Sequence, residues 1–322
     1  MITPNSFMLL SFCIPTYGQS ERMRQTLESL LIQDLDGVEI VIRDDNKNDE
    51  TEKIVSQYMN RLPIRYYRME KQGLDVAFLF LSKEARGNFV WWFGDDFLVE
   101  GSISRVTTFL RSNPDVDLMY INSTDMTGEN YSIQPNGSHY FVDHNEALDK
   151  LKDQLGFCSA ILFKKTILSL GFEKAEKFIG TAWVTLFLVI HALTSGKHFY
   201  FLDGNNFKSE SKPMGESRWY DSFLVHGIYF AIVVRYFENR FNRKTLNELL
   251  VYKFSRSWRA VVVERAHGFK TGFAAAKLHL PKLMRLYWNY PELYIAIPLM
   301  LLPQPILAGL YSTYKKFRLL RS

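Results

Sequence analysis

The stretch Gly87-Asn88-Phe89-Val90-Trp91-Trp92-Phe93-Gly94-Asp95-Asp96-Phe97 decides the reading, because an apolar run stops there against two adjacent carboxylates. The run has the length and continuity of a strand buried on both faces. Carboxylates just past its end lie at the carboxyl edge of a sheet, where open α/β folds bind ligands. Neighbouring carboxylates repel each other, and a cation or donor-rich ligand between them relieves the repulsion. A hard divalent ion with positions open for phosphate oxygens fits the pair. A solvated acidic turn would leave the same sequence, so the surrounding pattern has to decide.

Upstream, Leu9-Leu10-Ser11-Phe12-Cys13-Ile14 reads as a first buried strand, ended by Pro15-Thr16-Tyr17-Gly18. Met23, Leu27, Leu30 and Leu31 follow at helical spacing within residues 20–33. Val38 to Arg43 is a second strand, running into Asp44-Asp45-Asn46-Lys47-Asn48-Asp49-Glu50-Thr51. Asn48 or Asp49 is placed to cap the next helix, through Ile54, Val55 and Tyr58. Ile64 to Tyr67 makes a short third strand before Gly73, and a helix through Ala77, Leu79, Leu81 and Ala85 leads to the Trp91 strand. Four alternations of strand and helix predict an α/β fold with a mostly parallel sheet.

These pieces, in this order, resemble the family 2 glycosyltransferases of GT-A fold, which use nucleotide-activated sugars. The matching segments are Ser11 to Tyr17, Ile42 to Thr51, Gly73 before a helix, Ala85-Arg86-Gly87 and Gly94-Asp95-Asp96, within about residues 8–125. Among subgroups the chain is most similar to the abequosyltransferase-like enzymes of surface-polysaccharide assembly, such as lipopolysaccharide O-antigen. The resemblance implies a Rossmann-like sheet flanked by helices. It implies that Pro15, Thr16 and Tyr17 face the nucleotide base, with Tyr17 stacking on it or walling it. Asp45 would accept a hydrogen bond from the base. Asp95 would hold the ribose or assist at the metal, and Asp96 would ligate a Mn2+ or Mg2+ ion bridging the diphosphate. From the residues alone, Tyr17 is equally an ordinary packing residue, and Asp44 a turn cap.

The sequence departs from the family pattern in three places. Gly18 stands where relatives commonly have Asn, and Lys47 where Ser is usual. Inverting relatives carry a catalytic carboxylate at a helix start in the second half. The matching segment here is Phe178-Ile179-Gly180-Thr181-Ala182-Trp183, with Thr181 in the acid's place. A threonine hydroxyl does not deprotonate a sugar alcohol at neutral pH. Either Asp221, Glu216 or Glu176 reaches in, or the reaction retains anomeric configuration and needs no such base. The base is left unassigned.

Residues 126–235 are the expected acceptor half of a catalytic domain spanning 1–235. Asp117 to Ile121 reads as a strand, Ala182 to Leu193 as an apolar helix holding His191, and Phe199 to Leu202 as a further strand. Thr127 to Asn130 and Pro135-Asn136-Gly137 carry turn chemistry. Gly204 to Asp221 is a long polar loop of the kind that closes over a site, where Lys212 or Arg218 would meet the diphosphate. Gly215 stands where the Gln-x-x-Arg-Trp element of processive synthases has Gln, so single-sugar transfer is favoured. His191, His198 and His226 have no metal-ligand spacing and read as structural.

Composition allows a sizeable core, at 322 residues, 47% hydrophobic and 15% aromatic. Two cysteines, Cys13 and Cys158, imply no disulfide framework and suit a reducing compartment. The start Met-Ile-Thr-Pro-Asn-Ser lacks the basic region of a secretory leader. Charge is uneven. Residues 235–322 hold 16 Lys and Arg against 4 acids, within a chain of net charge +5. This basic region, taken as 236–322, is expected to be helical: Val251 to Arg265 and Lys270 to Arg285 read as basic amphipathic helices. The 19 residues Leu293 to Tyr311 carry no charge but contain Pro298, Pro303 and Pro305. That combination suits peripheral or monotopic association with an anionic membrane surface better than a span, since basic flanks lie on both sides. Nucleic acid would not require the uncharged run and is set aside.

The expectation is therefore a membrane-surface glycosyltransferase on the cytoplasmic face of the inner membrane. It would move a sugar from a nucleotide-sugar donor to a glycan or polyprenyl-diphosphate-linked acceptor. A non-catalytic sugar-nucleotide or membrane-binding protein is the alternative. A nucleotidyltransferase would need a Gly-rich phosphate loop after the first strand, which Pro15-Thr16-Tyr17-Gly18-Gln19-Ser20 is not.

Overall fold

The strands at Leu10, Val38, Ile64, Phe89, Leu118 and Phe199 stand where the sequence predicts them, whereas those at His139 and Ile161 were not foreseen. The computed structural model describes residues 8–94, 96–126, 137–209, 223–268 and 279–319. The chain forms two compact units, Met1–Ser211 and Lys212–Ser322, so the division falls before the 235/236 boundary drawn from charge.

In the first unit, β1 (Leu10–Thr16), β2 (Val38–Asp44), β3 (Ile64–Arg68), β4 (Phe89–Trp92), β6 (Leu118–Ile121), β8 (His139–Phe141), β9 (Ile161–Lys164) and β10 (Phe199–Leu202) form one eight-stranded sheet. Its order is β3-β2-β1-β4-β9-β6-β10-β8. β1 is parallel to β2 and β4, β2 to β3, and β6 to β10. β9 is antiparallel to both β4 and β6, so β6 and β10 run with β4, and only β9 and β8 are reversed. Helices α1 (Ser20–Leu31), α2 (Glu50–Ser56), α3 (Leu74–Glu84), α4 (Ser102–Ser112), α5 (His144–Leu151), α6 (Lys165–Ser169), α7 (Phe172–Ala175) and α8 (Val184–Ser195) complete the unit. This is the expected α/β class with a mostly parallel sheet.

Core chemistry explains the two consecutive tryptophans of β4. Successive strand residues point to opposite faces, and both faces are covered here. Trp91 and Trp92 are wholly buried, and each indole N–H is satisfied: Trp91 donates to the Ser159 carbonyl at 2.7 Å, Trp92 to Ser82 Oγ at 2.9 Å.

The amino edge of the sheet is tied shut. Glu39 is buried; its carboxylate accepts from Ser11 Oγ at 2.6 Å, the Arg86 N–H at 2.6 Å and Arg65 Nη1 at 3.1 Å. The Gly87 N–H donates to Ser11 Oγ at 2.8 Å. A Cβ on Gly87 would lie 2.6 Å from the Ser11 backbone nitrogen, so only glycine fits. Ala85-Arg86-Gly87 thus closes the fold and lies away from the carboxyl edge.

At the carboxyl edge three strands run on into a second, small sheet, ordered β5-β11-β7. β4 leads to β5 (Phe97–Leu98), β6 to β7 (Thr124–Asp125) and β10 to β11 (Phe207–Ser209). The expected polar loop from Gly204 therefore begins with a strand, because Phe207 is buried and Lys208 pairs with Phe97 and Thr124. Asp49 occupies the N-cap position of α2 without capping it, since its side chain binds Lys53 at 2.9 Å instead.

In the second unit every described regular element is helical. A π-helical turn, Leu224–Tyr229, continues into α9 (Phe230–Arg235), followed by α10 (Arg243–Ala266), α11 (Leu280–Tyr287), α12 (Pro291–Leu301) and α13 (Gln304–Leu319). α10 begins earlier than its predicted counterpart and runs unbroken for 24 residues. Tyr287 is buried against Phe254, with ring centroids 4.2 Å apart, and its hydroxyl donates to the Gly227 carbonyl at 2.7 Å. Arg265 is buried too, contrary to the expected basic outer face: it donates to the Met300 carbonyl and, at 2.7 Å, to the Leu302 carbonyl. Pro298 lies inside α12 without ending it, and the chain breaks at Pro303. Among the described residues no single helix is long and apolar enough to cross a membrane; Pro291–Leu301 and Gln304–Thr313 are bent by 114°.

Candidate active site

Strand register brings the first-strand turn beside the second. Pro15 pairs with Arg43 and Thr16 with Asp44, and the Asp45 N–H donates to the Thr16 carbonyl at 3.1 Å. Gly18 has φ +68°, a left-handed conformation that glycine and asparagine both tolerate, and its N–H donates to Asn46 Oδ1. The departure at this position therefore keeps the backbone geometry while removing a side chain. Asn46 is held in turn by Thr51, its Nδ2 donating to Oγ1 at 2.8 Å.

The two acidic positions beside this turn have different duties. Asp44 is buried; it accepts the Asn46 N–H at 2.8 Å and the Tyr66 hydroxyl at 2.6 Å, closing an Asx turn. Burial, and then the Asp44 carboxylate, push the Tyr66 hydroxyl above its ordinary pKa. Asp45 is gripped by Arg43, Nε to Oδ1 at 2.7 Å and Nη2 to Oδ2 at 3.4 Å. Arg43 is itself buried in a strand and also donates to Gln72 Oε1 at 3.2 Å. The Gln72 N–H is a third donor, 3.4 Å from Oδ2, which leaves about one of a carboxylate's roughly four lone-pair sites, so Asp45 can still accept from a ligand N–H. Tyr17 is 49% exposed beyond them, with the Lys71 ammonium 3.7 Å from its ring centroid.

Asp96 stands where β4 leaves the large sheet and β5 enters the small one. It is buried, and its carbonyl accepts from Thr26 Oγ1 of α1 at 3.3 Å. The Gly94 N–H donates to Ser159 Oγ at 2.9 Å, which anchors the turn from the β9 side. A recess lined by Pro15, Thr16, Gln19, Arg22 and Gly94 lies between β1, α1 and this turn. A larger cavity of about 610 Å³ lies at the amino edge, among Arg86, Phe89, Arg111 and Lys165, apart from these groups. Among the described residues no three His, Cys, Asp or Glu side chains cluster as a metal cage. Asp96 with substrate phosphates would still suit an ion of the Mg2+ or Mn2+ kind, which needs only one or two carboxylates. Asp95 lies outside the described residues, as do Lys212, Glu216, Arg218 and Asp221.

Sequence reasoning missed Asp75. It lies in the first turn of α3, buried, with its carboxylate turned onto the segment that carries Thr181. Oδ2 accepts the Gly180 N–H at 2.9 Å and the Ala182 N–H at 2.8 Å; Oδ1 accepts the Val184 N–H at 3.0 Å. These bonds hold Ala182 at φ 61°, a strained value for a residue with a side chain. Burial raises the Asp75 pKa against the pull of those N–H groups. Thr181 completes the turn, donating to the Phe178 carbonyl at 2.6 Å and accepting the Trp183 N–H at 3.1 Å. Its hydroxyl is thus spent on backbone. Cys158 lies near both Asp75 and Asp96; burial, with these charges adding, pushes its thiol up to about 12. Glu176 pairs with Lys83 at 2.8 Å, ~12 Å along α3 from Asp75 at 1.5 Å per residue. A lone acid opening an otherwise apolar helix, Leu74-Asp75-Val76-Ala77-Phe78, was the available signal for Asp75. His191 packs on Phe187 and His198 faces Asp115 at 3.4 Å, away from these groups.

Comparison with known proteins agrees with this geometry. Residues 11–169 match the family described as glycosyl transferase family 2. Over 118 residues, 34% of this chain and 35% of the relative, the sequence is 38% identical to abequosyltransferase RfbV of Salmonella typhimurium. An uncharacterized glycosyltransferase of Rickettsia typhi is 27% identical over 145 residues, 45% of this chain and 43% of the relative. The chain thus spans less than half the length of these relatives. The fold is similar to S. aureus TarS 1-349 in complex with UDP, with TM-score 0.65 and 16% identity, covering 90% of this chain and 83% of that one. It is also similar to the mannosyltransferase PcManGT of Pyrobaculum calidifontis, in complex with GDP-Man and Mn2+, with TM-score 0.50 and 14% identity, covering 97% and 89%. The family match runs from β1 to β9, and the fold is similar to that of the two solved structures.

Proposed function

We propose that this chain transfers a single sugar from a nucleotide-sugar donor to a glycan or polyprenyl-diphosphate-linked acceptor, as a step in surface-polysaccharide assembly. The observation that carries the reading is Asp96, buried where β4 leaves the large sheet for the small one, at the same carboxyl edge as the Pro15–Thr16 turn and Asp45. Similarity to RfbV supports the polysaccharide context, and the UDP and GDP-Man complexes of the structural neighbours support a nucleotide sugar. Asp96, with Asp95 beside it in sequence, would hold a divalent ion, which would neutralise charge developing on the nucleoside diphosphate leaving group. Asp45 and Tyr17 would select the base, and the Asp75-held turn would face the reacting sugar. The basic helical region 236–322 would keep the enzyme at the cytoplasmic face of the inner membrane, where a lipid-linked acceptor resides.

Thr181 supports a second reading, a sugar-nucleotide-binding protein without transfer, because its hydroxyl is committed to the turn. One assay separates the two. The full chain is incubated with UDP-, GDP-, CDP- and dTDP-sugars and manganese, and nucleotide release is followed. Release dependent on the metal supports the transferase; binding without release supports the alternative; neither binding nor release across the panel sinks both.

A further inference from the structure

We infer that the bent helix pair α12–α13 is an interfacial wedge, seating this chain in the headgroup and upper acyl region of an anionic bilayer. The inference deepens the membrane part of the proposed function, yet it rests on the second unit alone. α12 turns Leu293, Ala296 and Met300 inward, all at most 1% exposed. Its other side is just as apolar: Tyr294 is 57% exposed, Ile295 56% and Leu301 40%. α13 repeats the pattern, with Leu307 buried and Ile306 and Leu310 half exposed. A surface helix of a water-soluble unit carries polar residues on its outer side, and one that is apolar all round is made for a second apolar medium. Among the described residues ten exposed large apolar side chains are spread between 17 and 236, and seven fall between 284 and 310, including Trp288 at 64%. Patches of that kind mark an interaction surface.

Shape and charge choose the occupant. The 114° bend excludes one straight span and suits a shallow insertion in which both arms lie near the interface. Arg265 locks the bend, because its guanidinium holds the Met300 and Leu302 carbonyls where α12 ends and Pro303 begins the turn. The uncharged run 293–311 follows Lys282, Arg285 and the single acid Glu292, and precedes Lys315, Lys316 and Arg318, a net basic bracket. Trp288 and Tyr294 add the amphipathic rings that settle at headgroup level. A second copy of the chain on this face would bring two basic brackets together, whereas anionic lipid headgroups neutralise them.

Flotation of the full chain with vesicles tests the inference. Binding is expected to phosphatidylcholine–phosphatidylglycerol vesicles, to weaken with salt, and to be much lower on phosphatidylcholine alone. The pair Ile295→Asn and Leu310→Asn is expected to weaken it by about tenfold or more, from lost apolar burial. Brominated lipids should quench the wild-type protein in proportion to Trp288, and Trp288→Phe should remove that component. Absence of flotation, or flotation unchanged in the double variant, overturns the wedge. So does lipid-free dimerisation that the double variant abolishes, which would give the face to a second copy. Nucleotide release from a sugar donor, measured on the same samples, reports separately on the transferase reading.

Discussion

Both edges of the one sheet bury carboxylates, yet they use them differently. At the amino edge Glu39 is enclosed by Ser11, Arg65 and the Arg86 N–H, a closed network that ties β1, β2 and the start of β4. At the carboxyl edge Asp44 and Asp75 do similar work on turns, while Asp45 keeps a spare acceptor site and Asp96 sits where β4 leaves the large sheet for the small one. Asp44 ends a strand, yet its partners come from the fold, so a place at the carboxyl edge does not by itself make a carboxylate available for chemistry. An acidic residue in this sheet has to be judged by its partners and its edge, since burial alone does not separate the two groups.

The sharpest way to break the comparison is Asp96→Asn. Nucleotide-sugar turnover should fall ~10²–10³-fold, the usual cost of removing one electrostatic stabiliser, while the melting temperature moves little. Glu39→Ala should do the reverse. Removing the acceptor of Ser11 and the Arg86 N–H, and one of Arg65's two carboxylate partners, should cost about 1–3 kcal/mol of stability by chemical denaturation, with nucleotide affinity of the folded fraction unchanged. Equal effects of the two substitutions on turnover would erase the distinction.

Asp75 lies between these extremes. Its pKa is raised by burial, so the folded state binds the proton more tightly than the unfolded chain does. That contribution is present in acid and is lost as pH rises from the ordinary carboxylate range through the folded pKa. Asp75→Asn should therefore flatten the stability–pH slope just above pH 4, close to the ~3.9 of an unperturbed Asp. It should also lower kcat more than it raises KM, because the Gly180–Val184 turn loses one of its two acceptor oxygens. An unaltered pH slope would show that the carboxyl is not the held group. The smallest effect concerns the thiols. Cys13 and Cys158 are free, and burial pushes both up, Cys158 to about 12, so neither should be alkylated appreciably by iodoacetamide at pH 8 without denaturant.

What was legible from the residues follows the same division. β1, β2 and β4 could be read because strands covered on both faces are continuous apolar runs, and Asp45 and Asp96 because they end such runs. β5, β7 and β11 are two or three residues long, too short for any periodicity, so Phe207–Ser209 read as the start of a loop. Asp75 was passed over because an acid in a first helical turn is ordinary, even one opening an apolar helix; its three backbone partners, more than 100 residues away, make it special. Arg265 misled for the opposite reason. A basic residue in a basic helix reads as solvated, and its burial follows from carbonyls supplied by a distant helix end.

The most direct test of the central claim is calorimetric titration of uridine, cytidine, guanosine and thymidine diphosphates into the wild-type chain and Asp96→Asn, each with manganese and with EDTA. At least one nucleotide should bind the wild type only when manganese is present, and the variant should lose that metal-dependent increment. Equal affinity in EDTA, or an increment surviving intact in the variant, would contradict a metal-bridged diphosphate at the end of β4.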